Sequence, residues 1–184
     1  MPRAYNSKSA FLGFRVPLPL LLIPPRIKFA VFEMRDKRFV AEHRGGPLTR
    51  QQHILLMKWA VECAEHVLPL LGQNIDSRLI HALQIAKDWM NSQVSVGDAR
   101  NASVECHAVA QQAVNPVTIA VARAVGQAVA TAHMADHSLG SAWYGLKAVK
   151  SAGREVEKER KWQNSQLPQE IYPLVLSARK LRNV

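Results

Sequence analysis

The residues best suited to reactive chemistry are histidines and a cysteine that lie in two predicted helical segments. His133 and His137 are four residues apart, with Asp136 between them. Side chains at that spacing lie about 40° apart around a helix, so both imidazoles could reach one metal ion. Cys63 and His66 are three residues apart in an earlier segment. Together the four nitrogen and sulfur donors could complete a tetrahedral zinc site.

Two interpretations of these residues stand side by side. The string from His133 to His137 is similar to the inverted zincin motif His-x-x-Glu-His with a shorter acid, which would indicate a metal-dependent hydrolase. In the other interpretation the histidines hydrogen-bond neighbouring groups, and Cys63 is a small core residue. We favour the second interpretation, which predicts no bound metal, no other cofactor and no catalytic residues.

Other reactive patterns are weak. Gly45-Gly46-Pro47 is typical of a turn and lacks the strand and helix of a phosphate-binding loop, and no Gly-x-Ser-x-Gly elbow occurs. The two cysteines, Cys63 and Cys106, are too few for a disulfide framework. They indicate reduced thiols in a cytoplasmic protein.

The elements that must position these residues are helices. Ala is abundant from about residue 60 onward, whereas Gly and Pro cluster at junctions, so the chain predicts an all-α bundle of five to seven helices with short connections. Gly72 is a natural stop for the first helix. Capping residues mark the helix starts: Thr49 with Gln52, Asp76, Ser95 with Asp98, and Asn115 before Pro116.

The apolar spacing indicates which faces are buried. The first helix, predicted from Arg50 to Leu71, is apolar over most of its surface and should lie at the centre of the bundle. The fourth contains small residues and Gly126, whose cost of about 1 kcal/mol relative to Ala indicates close packing against a neighbour. The fifth carries Leu139, Ala142, Trp143, Leu146 and Val149, and the pattern does not decide whether helices four and five are continuous.

The chain divides into three predicted regions. Residues 1–33 combine a short apolar run with four prolines and are expected to be a disordered or upstream-translated extension, with Met34 as the natural start. Residues 34–150 form the helical domain. Residues 151–184 should add charged helices, exposed from Glu155 to Lys161, that pack on the bundle or extend it. No stretch predicts a membrane-spanning helix.

The net charge of +10 is concentrated at the two ends of the sequence. Residues 51–150 hold seven basic and seven acidic side chains, whereas the flanks are basic. A specific nucleic-acid reader concentrates its basic residues on a folded face, so this distribution does not favour specific nucleic-acid binding.

Several segments of the helical domain together resemble one bacterial family. The chain is similar to the Imm-5-like group of putative immunity proteins over roughly residues 34–150. The likeness lies in RFVAEHRGGPLT at 38–49, WA at 59–60, CAEHVLPL at 63–70, AVATAH at 128–133, ADHSLG at 135–140 and GLKAV at 145–149.

This resemblance implies a small helical protein that neutralises a cognate toxin by binding it, without catalysis. Under that hypothesis Arg35, Lys37, Arg38 and Arg44 are candidate partner contacts, because basic side chains accelerate association with an acidic partner. The alternative remains a metal-binding protein or hydrolase using Cys63, His66, His133 and His137. The sequence leaves open a homo-oligomer.

Overall fold

The computed structural model describes residues 36–182 and confirms the prediction of an all-α bundle. The expectations for residues 1–33, Met34 and Arg35 lie outside the described residues. Seven α-helices with short connections occupy the described part of the chain: α1 (Arg50–Val67), α2 (Ser77–Met90), α3 (Val96–Gln112), α4 (Pro116–Ala130), α5 (His137–Ser151), α6 (Val156–Ser165) and α7 (Tyr172–Arg182).

The predicted capping residues begin the helices as expected. Thr49 Oγ1 accepts from Gln52 N at 3.2 Å, and Gln52 Oε1 accepts from Thr49 N at 3.1 Å. Ser95 and Asp98 form the same reciprocal pair before α3. Such pairs satisfy two backbone donors that a helix start leaves without partners. Local sequence therefore fixes where these helices begin.

The end of α1 differs from the prediction. The α-helix stops at Val67, and a 3-10 turn continues from Leu68 to Leu71 before Gly72. Pro69 has no N–H to donate into the α-helical ladder, which favours the tighter turn. Gly72 ends that turn with φ of 67°, a conformation that favours glycine.

Helix α1 lies at the centre of the protein, as its broad apolar surface predicted. One side, including Met57 and Val61, packs in a cluster with α2, α3, α4 and α5. The other side, including Trp59 and Cys63, packs with α5, α7 and the segment at 36–48. Two apolar clusters thus share one helix, and both stabilise it.

Helices α4 and α5 are separate, which resolves the open question in the sequence. The chain leaves α4 at Ala130 and enters α5 at His137, where His137 N donates to Met134 O at 3.0 Å. Gly126 packs against α3 as expected, because a Cβ at this position would lie 3.1 Å from Cys106 Cβ. The small residues of α4 therefore permit close helix contact.

One sequence-based expectation about burial is wrong, and another has an exception. Trp143, predicted on the buried face of the fifth helix, is 36% exposed, because α5 directs Leu139, Ala142 and Leu146 inward instead. The region from Glu155 to Lys161 is mostly exposed, as predicted, but it contains Glu159 at only 5% exposure. Hydrogen bonds across helices hold the Glu159 carboxylate inside, as described below.

Candidate partner-binding surface

The four residues of the hypothetical metal site do not converge. Helices α1 and α5 run in the same direction, since Ser141 Oγ donates to Ala60 O at 2.9 Å and Gly145 lies level with Cys63. His137 precedes Gly145 by eight residues, so it lies about 12 Å from that level along the helix. No group of three His, Cys, Asp or Glu side chains within residues 36–182 is arranged to hold a metal ion.

Cys63 and Cys106 are core residues, as expected if the cysteines are structural and not reactive. Both are 0% exposed and are free thiols. Burial raises the pKa of Cys63 well above its ordinary value and raises the pKa of Cys106 to about 12. Since the thiolate is the nucleophile and the metal ligand, both positions disfavour reaction.

We expect neither thiol to react with Ellman's reagent in the native protein, because burial excludes the reagent and disfavours the thiolate. Absorbance at neutral pH should stay at the reagent baseline and rise to two thiols per chain after addition of guanidinium. A Cys63→Ala variant should yield one thiol, and only after unfolding. Rapid labelling of native protein would contradict this assignment.

His133 and His137 lie close together but take part in different contacts. Their ring centroids are 4.9 Å apart. His137 Nδ1 donates to Gln127 Oε1 at 2.7 Å, which joins α5 to α4. Burial, with the charges of His137, Arg100 and Arg44, lowers the pKa of His133 to about 4. His133 is therefore neutral at physiological pH.

This shift predicts a loss of stability in mild acid. The unfolded chain takes up a proton at His133 near pH 6.5, whereas the folded chain does so only near pH 4. Stability should thus fall as pH drops through that window, by about 1 kcal/mol after allowance for solvent screening. Urea unfolding of His133→Gln should show a smaller loss than wild type. The exposed control His81→Gln should behave like wild type, and equal losses in all three would refute the assignment.

A buried polar network joins α1, α6 and α7, and sequence periodicity did not predict it. The Gln163 side chain is 0% exposed. Its Nε2 donates to Glu159 Oε1 at 2.9 Å and to Ala142 O at 3.1 Å, while its Oε1 accepts from Arg179 Nη2 at 3.0 Å. His66 Nδ1 donates to Glu159 Oε2 at 2.8 Å. The predicted ligand His66 is thus a structural partner of Glu159.

A groove of ≈ 600 Å³ lies between α4 and α5, and we call it the basic groove. Its apolar lining residues are Pro116, Ile119 and Ala120. The polar and aromatic side chains that line it are Arg123, Tyr144, Lys147, Lys150 and Ser151.

Aromatic rings position the cations of the basic groove. Lys147 Nζ lies 3.8 Å from the Trp143 ring centroid and 5.6 Å from that of Tyr144. The Arg123 guanidinium lies 5.8 Å from the Tyr144 ring. Ammonium and guanidinium groups are attracted to aromatic faces at such distances. The helical spacing of Trp143 and Lys147, four residues apart, was the sequence signal for this pair.

Among residues 36–182, no acidic side chain forms an ion pair with these cations. Helices α4 and α5 contain no Asp or Glu, and within residues 36–182 no ion pair involves Arg123, Lys147 or Lys150. The acidic residues of the segment 51–150 lie mainly on the first three helices and at their caps: Glu62, Glu65, Asp76, Asp88, Asp98 and Glu105. A segment that is neutral by sequence thus contains a groove whose charged lining residues are all basic.

A second groove, of ≈ 550 Å³, has a different electrostatic character. His66 and Glu159 pair within it at 2.8 Å, and Lys158 pairs with Glu155 at 2.8 Å. Because the carboxylates of Glu155 and Glu159 lie among its lining residues, the second groove should attract anions less strongly than the basic groove, whose lining contains no acid.

The predicted basic contacts near the N-terminal end of the bundle have differing surroundings. Lys37 and Arg44 are exposed. Arg38 is also exposed, but its guanidinium is paired: Nη2 lies 2.6 Å from Asp36 Oδ2, and Nη1 donates to Ser177 Oγ at 2.7 Å. Arg35 lies outside the described residues.

The fold and these surfaces define a class of protein: an all-helical bundle with an open basic groove. Between residues 36 and 182, no helix combines the length and apolarity that crossing a membrane requires. The sequence matches the family model for the Imm-5 like putative immunity protein over residues 46–170. The chain belongs to this family. No curated protein and no solved structure matches it.

Proposed function

We propose that this protein neutralises a protein toxin by binding it stoichiometrically in the cytoplasm. The observation that carries the proposal is the family match, which extends over residues 46–170. That range includes α1 to α6 and therefore most of the packed bundle. A family defined over this whole body suggests that the folded surface itself is the functional unit.

The surroundings of the reactive side chains support binding in preference to turnover. Cys63 is sealed in the core, His66 is bonded to Glu159, and His137 is bonded to Gln127. A catalytic group needs access to a substrate and freedom to exchange protons. Cys63 lacks that access, whereas His66, which is exposed in the second groove, and His137 make hydrogen bonds that join helices.

Exposed basic side chains give the proposed encounter a physical basis. Lys37 and Arg44 are exposed near the N-terminal end of the bundle. We retain them, with Arg35 and Arg38, as candidate contacts that would steer an acidic toxin by long-range attraction. That contribution should weaken as ionic strength rises, since salt screens exposed charges.

A titration of toxin activity tests the proposal. The purified full-length chain is added to the toxin encoded by a neighbouring gene, and residual activity is measured after equilibration. A binding inhibitor should abolish activity at one mole per mole, and a complex of that composition should appear by native mass spectrometry. Progressive inactivation by much smaller amounts of the protein would indicate catalysis. Full toxin activity at saturating protein, without a complex, would refute toxin neutralisation for this pair.

A further inference from the structure

We propose that the basic groove between α4 and α5 is the surface that holds the toxin, and that the toxin segment occupying it is acidic. This inference rests on the proposed function and specifies where and with what chemistry the partner binds. The groove residues that carry it are Arg123, Lys147 and Lys150, with Trp143 beside them.

The first argument is charge complementarity. Some basic side chains of the described chain have acidic partners, as in Lys87 with Glu65 at 2.6 Å and Arg78 with Asp76 at 2.8 Å. The three cations of the basic groove have none among residues 36–182. Like charges gathered around one concavity repel each other, and bound carboxylates would relieve that repulsion.

The second argument concerns the shape and chemistry of the groove. The lining combines three apolar residues, Pro116, Ile119 and Ala120, with the three cations. An apolar centre with a polar rim is the usual composition of a protein–protein interface. The arrangement fits a protein segment in which acidic side chains flank an apolar one.

The third argument separates an acidic protein from a nucleic acid. Binding of single strands relies on aromatic faces that stack on bases. Here Lys147 Nζ lies over the Trp143 ring at 3.8 Å, and both Arg123 and Lys147 lie over Tyr144. These rings already interact with cations, so their faces are poorly placed for bases. The groove is better suited to carboxylates approaching the cations.

Charge reversal in the groove tests the inference. Lys147 and Lys150 are exposed, so the double variant Lys147→Glu/Lys150→Glu should fold normally. The matched control is Lys161→Glu/Lys180→Glu, which makes the same change in net charge at exposed positions of α6 and α7. Affinity for the toxin of the neighbouring gene is measured by calorimetry at two salt concentrations.

We expect the groove variant to bind the toxin roughly 30-fold more weakly than wild type, because like charges now meet across the interface. The control should lose less than about threefold, as expected of charges outside the contact. Circular dichroism and thermal melts verify folding. If the reversal disturbs the fold, Lys147→Gln/Lys150→Gln removes the charges more gently and should still weaken binding by several-fold.

The possible failures are distinguishable. If wild type itself neither binds nor inhibits the toxin, the proposed function fails for that pair, and this inference fails with it. If wild type inhibits and the groove variant binds equally well, or if the groove and control variants lose affinity equally, the groove assignment alone is overturned. If the groove variant loses binding to a labelled single-stranded RNA while its toxin affinity is unchanged, the groove assignment is also overturned, in favour of nucleic-acid binding.

Discussion

Replacing Gln163 by Leu should lower the free energy of unfolding by about 4 kcal/mol. The side chain is fully buried and has a similar volume to its replacement. The substitution removes the acceptor for Arg179 and a donor to Glu159, so two ionisable groups at 4% and 5% exposure each lose a hydrogen bond. Leaving buried charges incompletely bonded is among the most costly effects of a single substitution.

Urea unfolding followed by tryptophan fluorescence measures this effect. The matched control is Gln166→Leu, at the C-terminal end of the same helix. Among the described residues, the hydrogen bond of the Gln166 side chain is to Ser165 Oγ at 3.1 Å. The control should change stability by less than about 0.5 kcal/mol. A loss below about 1 kcal/mol for Gln163→Leu would show that the network contributes little.

The network explains why residues beyond 150 belong to the structure of the bundle. Trp59 Nε1 of α1 donates to Gln163 O at 2.8 Å, and Arg179 of α7 reaches both Gln163 and Asn164. A loss at Gln163 should therefore loosen α6 and α7 together. The family match, which continues to residue 170, includes α6.

Replacing Trp143 by Ala should weaken toxin binding by about 100-fold, under the groove proposal. Trp143 presents 36% of its surface to solvent and lies beneath the Lys147 ammonium at 3.8 Å. Tryptophan residues of this kind dominate many interfaces, where truncation costs 2 kcal/mol or more. The change would remove apolar contact area and release Lys147 from its favourable position.

Calorimetry with the toxin used for the proposed function measures this prediction. Tyr172→Ala is the matched control, since Tyr172 is a comparably exposed aromatic residue, 44% exposed, on α7. It should bind within about twofold of wild type. The free energy of unfolding of Trp143→Ala should change by only about 1 kcal/mol, because the ring is partly exposed. Equal affinities for both variants would contradict the role of Trp143.

The sequence determined the local architecture. Capping residues such as Thr49, Ser95 and Asn115 set the helix starts because their side chains bond backbone groups within three residues. Apolar spacing identified α1 as central, because the periodicity of a helix alone decides which side chains share a face. Gly126 indicated a close helix contact before any partner was known.

Tertiary structure alone decided which distant residues meet. The parallel course of α1 and α5 separates His66 from His137, so the candidate metal site does not form. The burial of Glu159 depends on two donors. His66 lies on α1, far away in sequence, whereas Gln163 lies one turn further along the same helix as Glu159. The segment at 51–150 is neutral by composition, yet packing places Arg123 beside Lys147 and Lys150 to form a basic groove. Composition counts charges, whereas attraction and repulsion depend on the distances that only folding sets.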